Sequence, residues 1–336
     1  MSTDRTHRVN IALMLGSAAA AAVAPYELLL ASYAILGPLH YLTEIHWLHR
    51  RRYFLPDAVH AHLLLGLSVL CVFLIKLGLN YSGPTGFVLV ASFILLTSTR
   101  WKTKALALAC AALVVALLDR RPWQPLSILL ILLPAAVHVF VFTGAFILLG
   151  ALKTKSRAGL LSFATLLACA TVLASGDFRA LDHPISAYVS KNYAFDSLNR
   201  LLAQILRVPF QPGPVVDPAL HGFARFLAFA YTYHYLNWFS KVSVFKWHHI
   251  DRRALYPVAG IYLLSLGAYL WDYRAGFALS FYLSFGHVLL EFPLNCRSFK
   301  DIGREIGGRL AGIAHAKPAE AIPATLESAR SYLQDS

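Results

Sequence analysis

Charged residues are scarce in this chain. Asp, Glu, Lys and Arg make up 14% of its 336 residues, whereas hydrophobic residues make up 57%. An ordinary soluble domain carries about 25% charged residues, and a soluble fold of this composition would need many buried helices without polar faces. Apolar runs of about 18–20 residues, the length that crosses a bilayer, recur along the chain. The sequence therefore predicts an all-α fold, a polytopic transmembrane helical bundle.

Cysteine is also rare, with four residues in the whole chain. Cys71, Cys110 and Cys169 fall within apolar runs, and no Cys-x-x-Cys pair occurs. This pattern provides neither a disulfide framework nor a thiolate metal site. No flavin, iron–sulfur or nucleotide motif is visible in the sequence, and no stretch has the composition of a second, soluble domain.

Ten apolar runs separated by charged or turn residues are candidate membrane spans. They cover about residues 9–24, 28–48, 56–79, 84–99, 104–118, 125–149, 157–175, 218–241, 255–272 and 275–296. The polar segment 176–217 contains four prolines and is predicted to be a long outer loop. Residues 1–297 are thus predicted to form the transmembrane bundle, and residues 298–336 a cytoplasmic tail.

The basic residues agree with this topology. With ten spans and a cytoplasmic N-terminus, 21 of the 30 Lys and Arg residues lie in the six segments that face the cytoplasm, as the positive-inside rule requires. The sequence therefore predicts an integral membrane protein of the bacterial inner-membrane type with both termini in the cytoplasm. The same distribution accounts for the net charge of +13, so we predict no nucleic-acid partner.

Most of the histidines within the predicted spans lie toward the cytoplasmic side. Two His-x-x-x-Glu units occur there, His40–Glu44 in the second span and His287–Glu291 in the tenth. The four-residue spacing places imidazole and carboxylate on one helix face. A carboxylate inside the membrane is costly unless it is paired or coordinated, and facing helices that contribute Glu and His ligands build carboxylate di-iron sites in helical bundles. The two units therefore predict a metal site between helices.

Three further histidines extend the predicted site. His234 lies in the eighth span, and His248 returns to the same helix face if that helix continues, because fourteen residues are close to four turns. His138 stands alone in an apolar run and needs a partner at that depth. Imidazole and carboxylate ligands suit iron, manganese or zinc. The candidate metal ligands are His40, Glu44, His138, His234, His248, His287 and Glu291.

The same residues allow other interpretations. Each His–Glu pair can be a hydrogen bond that fixes a helix, and His138 can be a core histidine bonded to a neighbouring hydroxyl or carbonyl group. A proton-coupled transporter would use intramembrane His and Glu as a relay, although the outer halves of the spans are mostly apolar. A haem protein would use two histidines as axial ligands, which leaves Glu44 and Glu291 unexplained. The sequence leaves open whether the remaining histidines of this side are ligands: His46, His49, His60, His62 and His249.

Residues 40–49, 234–249 and 287–291 resemble the membrane-bound histidine-box oxygenases, which include fatty-acid desaturases, lipid hydroxylases and alkane hydroxylases. They are also similar in pattern to the polytopic carotene-cleaving oxygenases. The resemblance implies a non-haem iron centre of one or two ions that activates dioxygen. It implies an oxidoreductase that hydroxylates, desaturates or oxidatively cleaves a lipid-like or isoprenoid substrate. A hydroxylase would receive its electrons from a donor protein on the basic cytoplasmic face.

Overall fold

The computed structural model describes residues 3–51, 58–77, 82–96, 100–119, 132–214, 218–241 and 252–310. Within these ranges the protein is helical and contains no β-strand, which confirms the all-α part of the predicted fold. Five helical segments are long and apolar enough to cross a membrane: Pro25–Leu48, Ala136–Thr154, Arg157–Ser175, Arg253–Trp271 and Tyr273–Arg309. Two shorter apolar segments are His62–Cys71 and Gly83–Leu95. The length and composition of the helices thus indicate a membrane protein.

Thirteen α-helices lie within the described ranges. They are α1 (Thr3–Val23), α2 (Pro25–Ala31), α3 (Gly37–Arg51), α4 (Ala58–Lys76), α5 (Ser82–Leu96), α6 (Trp101–Asp119), α7 (Thr143–Thr154), α8 (Arg157–Ser175), α9 (Ala187–Asn192), α10 (Asp196–Leu206), α11 (Pro218–Ser240), α12 (Arg252–Trp271) and α13 (Tyr273–Leu310). A π-helical segment, Ser32–Leu36, joins α2 to α3, and a second one, Leu133–Phe142, precedes α7. Since five of the described helical segments qualify as spans, the predicted count of ten is not supported.

Proline and capping residues set several helix boundaries. Pro25 follows α1 and begins α2, where the missing N–H of proline would have no helical partner in any case. At the turn between α7 and α8, Lys155 adopts a left-handed conformation and Ser156 caps α8 by accepting a hydrogen bond from the Gly159 backbone N–H. The two helices pack so closely that a Cβ atom on Gly159 would lie 2.7 Å from the Cβ atom of Ala151.

The segment 176–217, predicted to be a loop, contains the short helices α9 and α10. Helix α10 is amphipathic, and its apolar positions Leu198, Leu201 and Leu202 are buried. Leu198 and Leu202 belong to the larger apolar core of the protein. Residues 176–214, termed the covering segment, therefore contain short helices that pack against α2 and α11.

Two apolar clusters form the interior. The larger one includes Met14 of α1 and Leu227 of α11, and the smaller one includes Leu289 of α13. Helix α3 contributes to both, with Tyr41 in the larger cluster and Leu48 in the smaller. Helices α3 and α13 pack against each other, and buried polar side chains gather where these two helices meet α11.

Helix α13 is the longest element, with 38 residues, or about 57 Å at the usual rise per residue. It contains the predicted tenth span 275–296 and continues without a break through the first part of the predicted tail 298–336. Residues 311–336 lie outside the described ranges. One helix therefore carries His287 and Glu291 and also reaches the basic end of the chain.

Candidate metal centre

Four histidines from four helical segments meet inside the bundle. His40 lies on α3, His138 in the π-helical segment Leu133–Phe142, His234 on α11 and His287 on α13. None is more than 8% exposed. The centroids of neighbouring imidazole rings are 4.7–5.3 Å apart. The packing of these segments therefore gathers four imidazoles into one buried group.

The Nε2 atoms of these rings face one another. The Nε2 atoms of His40 and His234 are 3.0 Å apart, and those of His138 and His287 are also 3.0 Å apart. Ligand nitrogens of His40, His234 and His287 all lie within 4.8 Å of one another. Nitrogens bound to one ion at about 2.1 Å are separated by about 3.0–3.4 Å. The buried group of His40, His234 and His287 could therefore hold a metal ion, and His138 adjoins it.

The two predicted His–Glu units behave differently in the fold. Within the first unit, Glu44 Oε2 lies 3.1 Å from Nε2 of His40, on the side that faces the other imidazoles. In the second unit Glu291 does not pair with His287, because its Oε2 atom lies 3.3 Å from Nδ1 of His138. Both carboxyl groups are buried. Glu44 therefore lies beside the Nε2 atom of His40, which faces the other imidazoles. Glu291 lies beside the Nδ1 atom of His138, on the side of that ring that faces away from them.

A threonine that the sequence did not single out contacts the group. Thr143 Oγ1 lies 2.8 Å from Nδ1 of His234. In an α-helix, His138 and Thr143 would point about 140° apart because they are five residues apart. The segment Leu133–Phe142 is π-helical, and π-helical pairing is from i to i+5. Both side chains consequently reach His234, and a search at α-helical spacing misses Thr143.

Aromatic side chains enclose the imidazoles on one side. The ring of Tyr41 stacks on that of His287, with centroids 4.5 Å apart and planes at 26°. The hydroxyl oxygens of Tyr41 and Tyr235 are 2.5 Å apart. Gly37 leaves room for this pair, since a Cβ atom there would lie 3.0 Å from the hydroxyl of Tyr41 and 3.3 Å from that of Tyr235. The tyrosine pair thus closes the part of the site nearer the start of α3.

Polar groups gather on the opposite side. Lys241, which follows α11, interacts electrostatically with Glu44 and Glu291, and the two carboxyl groups also interact with each other. Asn295 Nδ2 donates a hydrogen bond to Glu291 Oε2 at 3.4 Å. If both buried carboxyl groups were ionised, one ammonium group would compensate only one of the two negative charges, which is costly in a buried site. A divalent cation among the imidazoles would neutralise that charge, and the donor set of imidazole and carboxylate suits such an ion.

The structure brings together six of the seven residues that the sequence proposed as ligands: His40, Glu44, His138, His234, His287 and Glu291. The seventh, His248, lies outside the described residues, as does His249. Among the histidines whose role was left open, His46 is partly buried and the side chain of His62 is exposed on α4. The side chains of His49 and His60 belong to the part of the chain that is not described.

A separate polar cluster lies at the other end of α11. Arg225 is 4% exposed and forms an ion pair with Asp182 from the segment after α8. His221 Nδ1 lies 3.7 Å from the same carboxylate, and its ring stacks on that of Tyr26. The cluster links the covering segment to α2 and α11, and it is distinct from the group of four histidines.

Comparisons of the chain with protein-family models, with curated proteins and with solved structures found no match.

Proposed function

We propose that the protein is a membrane-embedded non-haem iron oxygenase that acts on a lipid-like or isoprenoid substrate. The observation that supports this most strongly is the buried group of His40, His234 and His287, whose ligand nitrogens lie within 4.8 Å of one another. His138 adjoins the group, with its Nε2 atom 3.0 Å from that of His287. Four imidazoles in an apolar interior need hydrogen-bond or metal partners. A bound cation supplies such a partner to all of them at once.

The spacing of the nitrogens favours one ion over the dinuclear centre that the sequence suggested. Two-ion sites hold their metals about 3.5–4 Å apart and distribute the ligands around both. Here the ligand atoms of His40, His234 and His287 lie within 4.8 Å of one another, which is close to the largest separation, about 4.2 Å, of two ligands on one ion at about 2.1 Å. These three imidazoles would hold the ion, and His138 and the carboxylate of Glu44 adjoin them.

The surrounding residues suit a reaction that must exclude water. Bound iron would supply the activation of dioxygen. The side chains of the protein bind and orient that ion, and Tyr41, Tyr235 and Trp238 surround the ring of His40. These aromatic groups keep bulk water away from the imidazoles. A long apolar substrate would enter from the bilayer, so the reaction would be hydroxylation, desaturation or oxidative cleavage.

We also propose that the chain crosses the membrane ten times with both termini on the cytoplasmic side. This topology would put the carboxylates and Lys241 toward the cytoplasm. Exposed basic residues on that side, such as Lys155, Arg157 and Arg304, would receive an acidic electron-donor protein if the reaction is a hydroxylation. Reporter fusions at successive inter-helix segments test the topology, because reporters active only in the cytoplasm should alternate with those active only outside.

The function is tested by elemental analysis of folded, detergent-solubilised protein that carries no histidine tag. We expect about one iron ion per chain and no haem absorption band. That protein is then incubated with oxygen-18 gas, membrane lipid extracts and a chemical reductant, which supplies the two electrons that hydroxylation and desaturation each consume. We expect a labelled lipid product, or labelled water in a desaturation. Folded protein without any transition metal would contradict the proposal and favour a transporter in which the His–Glu pairs relay protons. A haem band would identify a haem protein instead.

A further inference from the structure

The ring of His234 has a partner at each of its two nitrogens. His234 uses Nε2 to face His40 at 3.0 Å, while Nδ1 of the same ring faces the hydroxyl of Thr143 at 2.8 Å. Thr143 is 3% exposed, so bulk water does not compete for this contact. A neutral imidazole carries its proton on only one nitrogen, and a partner at one nitrogen decides which nitrogen keeps a free lone pair.

We propose that Thr143 is a positioning residue that holds His234 as the Nδ1-protonated tautomer, a role that rests on the function proposed above. The Nδ1–H group of His234 donates to Thr143 Oγ1, and the lone pair of Nε2 is directed at the metal position. Metal-binding histidines generally donate their second ring N–H to such a partner, and removing the partner weakens metal binding about 10–100-fold.

The partner of the Thr143 hydroxyl supports this role, and the tautomer of His234 decides which of the two atoms donates. Threonines in helices commonly bond to a backbone carbonyl one turn earlier, as Thr43, Thr154 and Thr165 do here. Thr143 bonds instead to a side chain on another helix. A packing role alone would be filled equally well by valine, which has the same branched shape.

His138 has a corresponding partner. Its Nε2 atom faces His287 at 3.0 Å, and its Nδ1 atom lies 3.3 Å from Glu291 Oε2. Asn295 holds that carboxylate by a hydrogen bond. His234 and His138 therefore each have an oxygen beside Nδ1, from Thr143 and Glu291 respectively. This arrangement fits the use of their Nε2 atoms as ligands.

The test compares Thr143→Val, Thr143→Ala and Thr143→Ser with the matched control Thr232→Val. Thr232 is a buried threonine on α11 whose hydroxyl bonds to Ser32 at 2.7 Å, away from the histidines. Two quantities are measured on folded protein: Co²⁺ affinity by titration of its visible absorption, and the nitrogen-15 NMR shifts of the histidine rings in metal-free protein. Circular dichroism establishes folding, and Thr143→Ala replaces Thr143→Val if the latter does not fold.

We expect the hydroxyl-free variants of Thr143 to bind Co²⁺ about 10–100-fold more weakly and to lose the single Nδ1-protonated pattern of His234. Thr143→Ser should restore both, and Thr232→Val should change neither. Wild-type affinity together with wild-type nitrogen shifts in Thr143→Val would overturn the positioning role. A wild-type protein that binds neither iron nor Co²⁺ would overturn the proposed function, and the nitrogen shifts of metal-free protein would then decide the role of Thr143 alone.

Discussion

Glu291 lies 3.3 Å from the Nδ1 atom of His138 on another helical segment, although His287 precedes it by one turn on its own helix. Glu44, in the matching motif of α3, pairs with its own His40 at Nε2. The two motifs are alike in sequence, but their carboxylates are on different sides of the imidazole rings. They should therefore respond differently to the same substitution.

Glu44→Gln and Glu291→Gln separate these two positions. Glu44→Gln removes a charge from the side on which the metal would bind, so we expect iron to be lost from the purified protein. Glu291→Gln keeps an oxygen that can accept from His138, so we expect about one iron ion per chain with an affinity about 10-fold lower. Iron titration of both variants measures this. Equal iron loss in the two variants would show that Glu291 is a ligand as well.

Removing an imidazole should abolish metal binding. His40→Ala and His287→Ala each remove one of three nitrogens that lie within 4.8 Å of one another, and an ion that loses one of so few protein ligands is held much more weakly. We expect less than about a tenth of the wild-type iron content in both variants. His62→Ala, which alters an exposed histidine on α4, is the control and should keep its iron. Full iron content in His40→Ala and His287→Ala would refute the centre.

Gly37→Ala should separate the two tyrosines beside the centre. The new Cβ atom would lie 3.0 Å from the hydroxyl of Tyr41 and 3.3 Å from that of Tyr235, and relieving such overpacking costs about 1–3 kcal/mol. Gly260→Ala is the matched control on α12, where a Cβ atom meets nothing within 4 Å. The control should gain up to about 1 kcal/mol because alanine is the better helix former. Unfolding in detergent measures both, and equal behaviour of the two variants would contradict the packing described here.

Breaking the Arg225–Asp182 pair should loosen the covering segment, residues 176–214. Arg225 is 4% exposed, and Asp182→Asn leaves its charge without a full partner. Breaking a fully buried pair costs about 3–5 kcal/mol, and since the Asp182 side chain is 32% exposed, we expect about 1–3 kcal/mol. Limited proteolysis and thermal unfolding should both register the change.

An exposed pair in the same segment provides the control for that experiment. Arg179 donates hydrogen bonds to Asp177 and lowers the pKa of its carboxyl to about 2. This pair is fully exposed to solvent, where such contacts contribute little. Asp177→Asn should therefore leave proteolysis and unfolding unchanged at neutral pH. A similar loss in both variants would mean that buried Arg225 has no special role.

The sequence predicted the helical class and the gathering of six candidate residues, because composition and four-residue spacing are local properties. It did not predict that Glu291 pairs with His138, since the partner depends on how helices rotate against one another. It missed Thr143, because the α-helical period does not apply in the segment Leu133–Phe142. The number of crossings depends on how the assembled helices lie in the membrane, and the hydropathy of each run taken separately does not determine it.

That π-helical segment also bears on how the gene can change. A π-helix accommodates one more residue per turn than an α-helix, so deleting one codon between those of His138 and Thr143 would let the chain return to the ordinary α-helical form. The two side chains would then be four residues apart and about 40° from each other, which keeps both near one helix face. A change of one residue in length at this point can therefore be absorbed by exchanging a π-helical turn for an α-helical one.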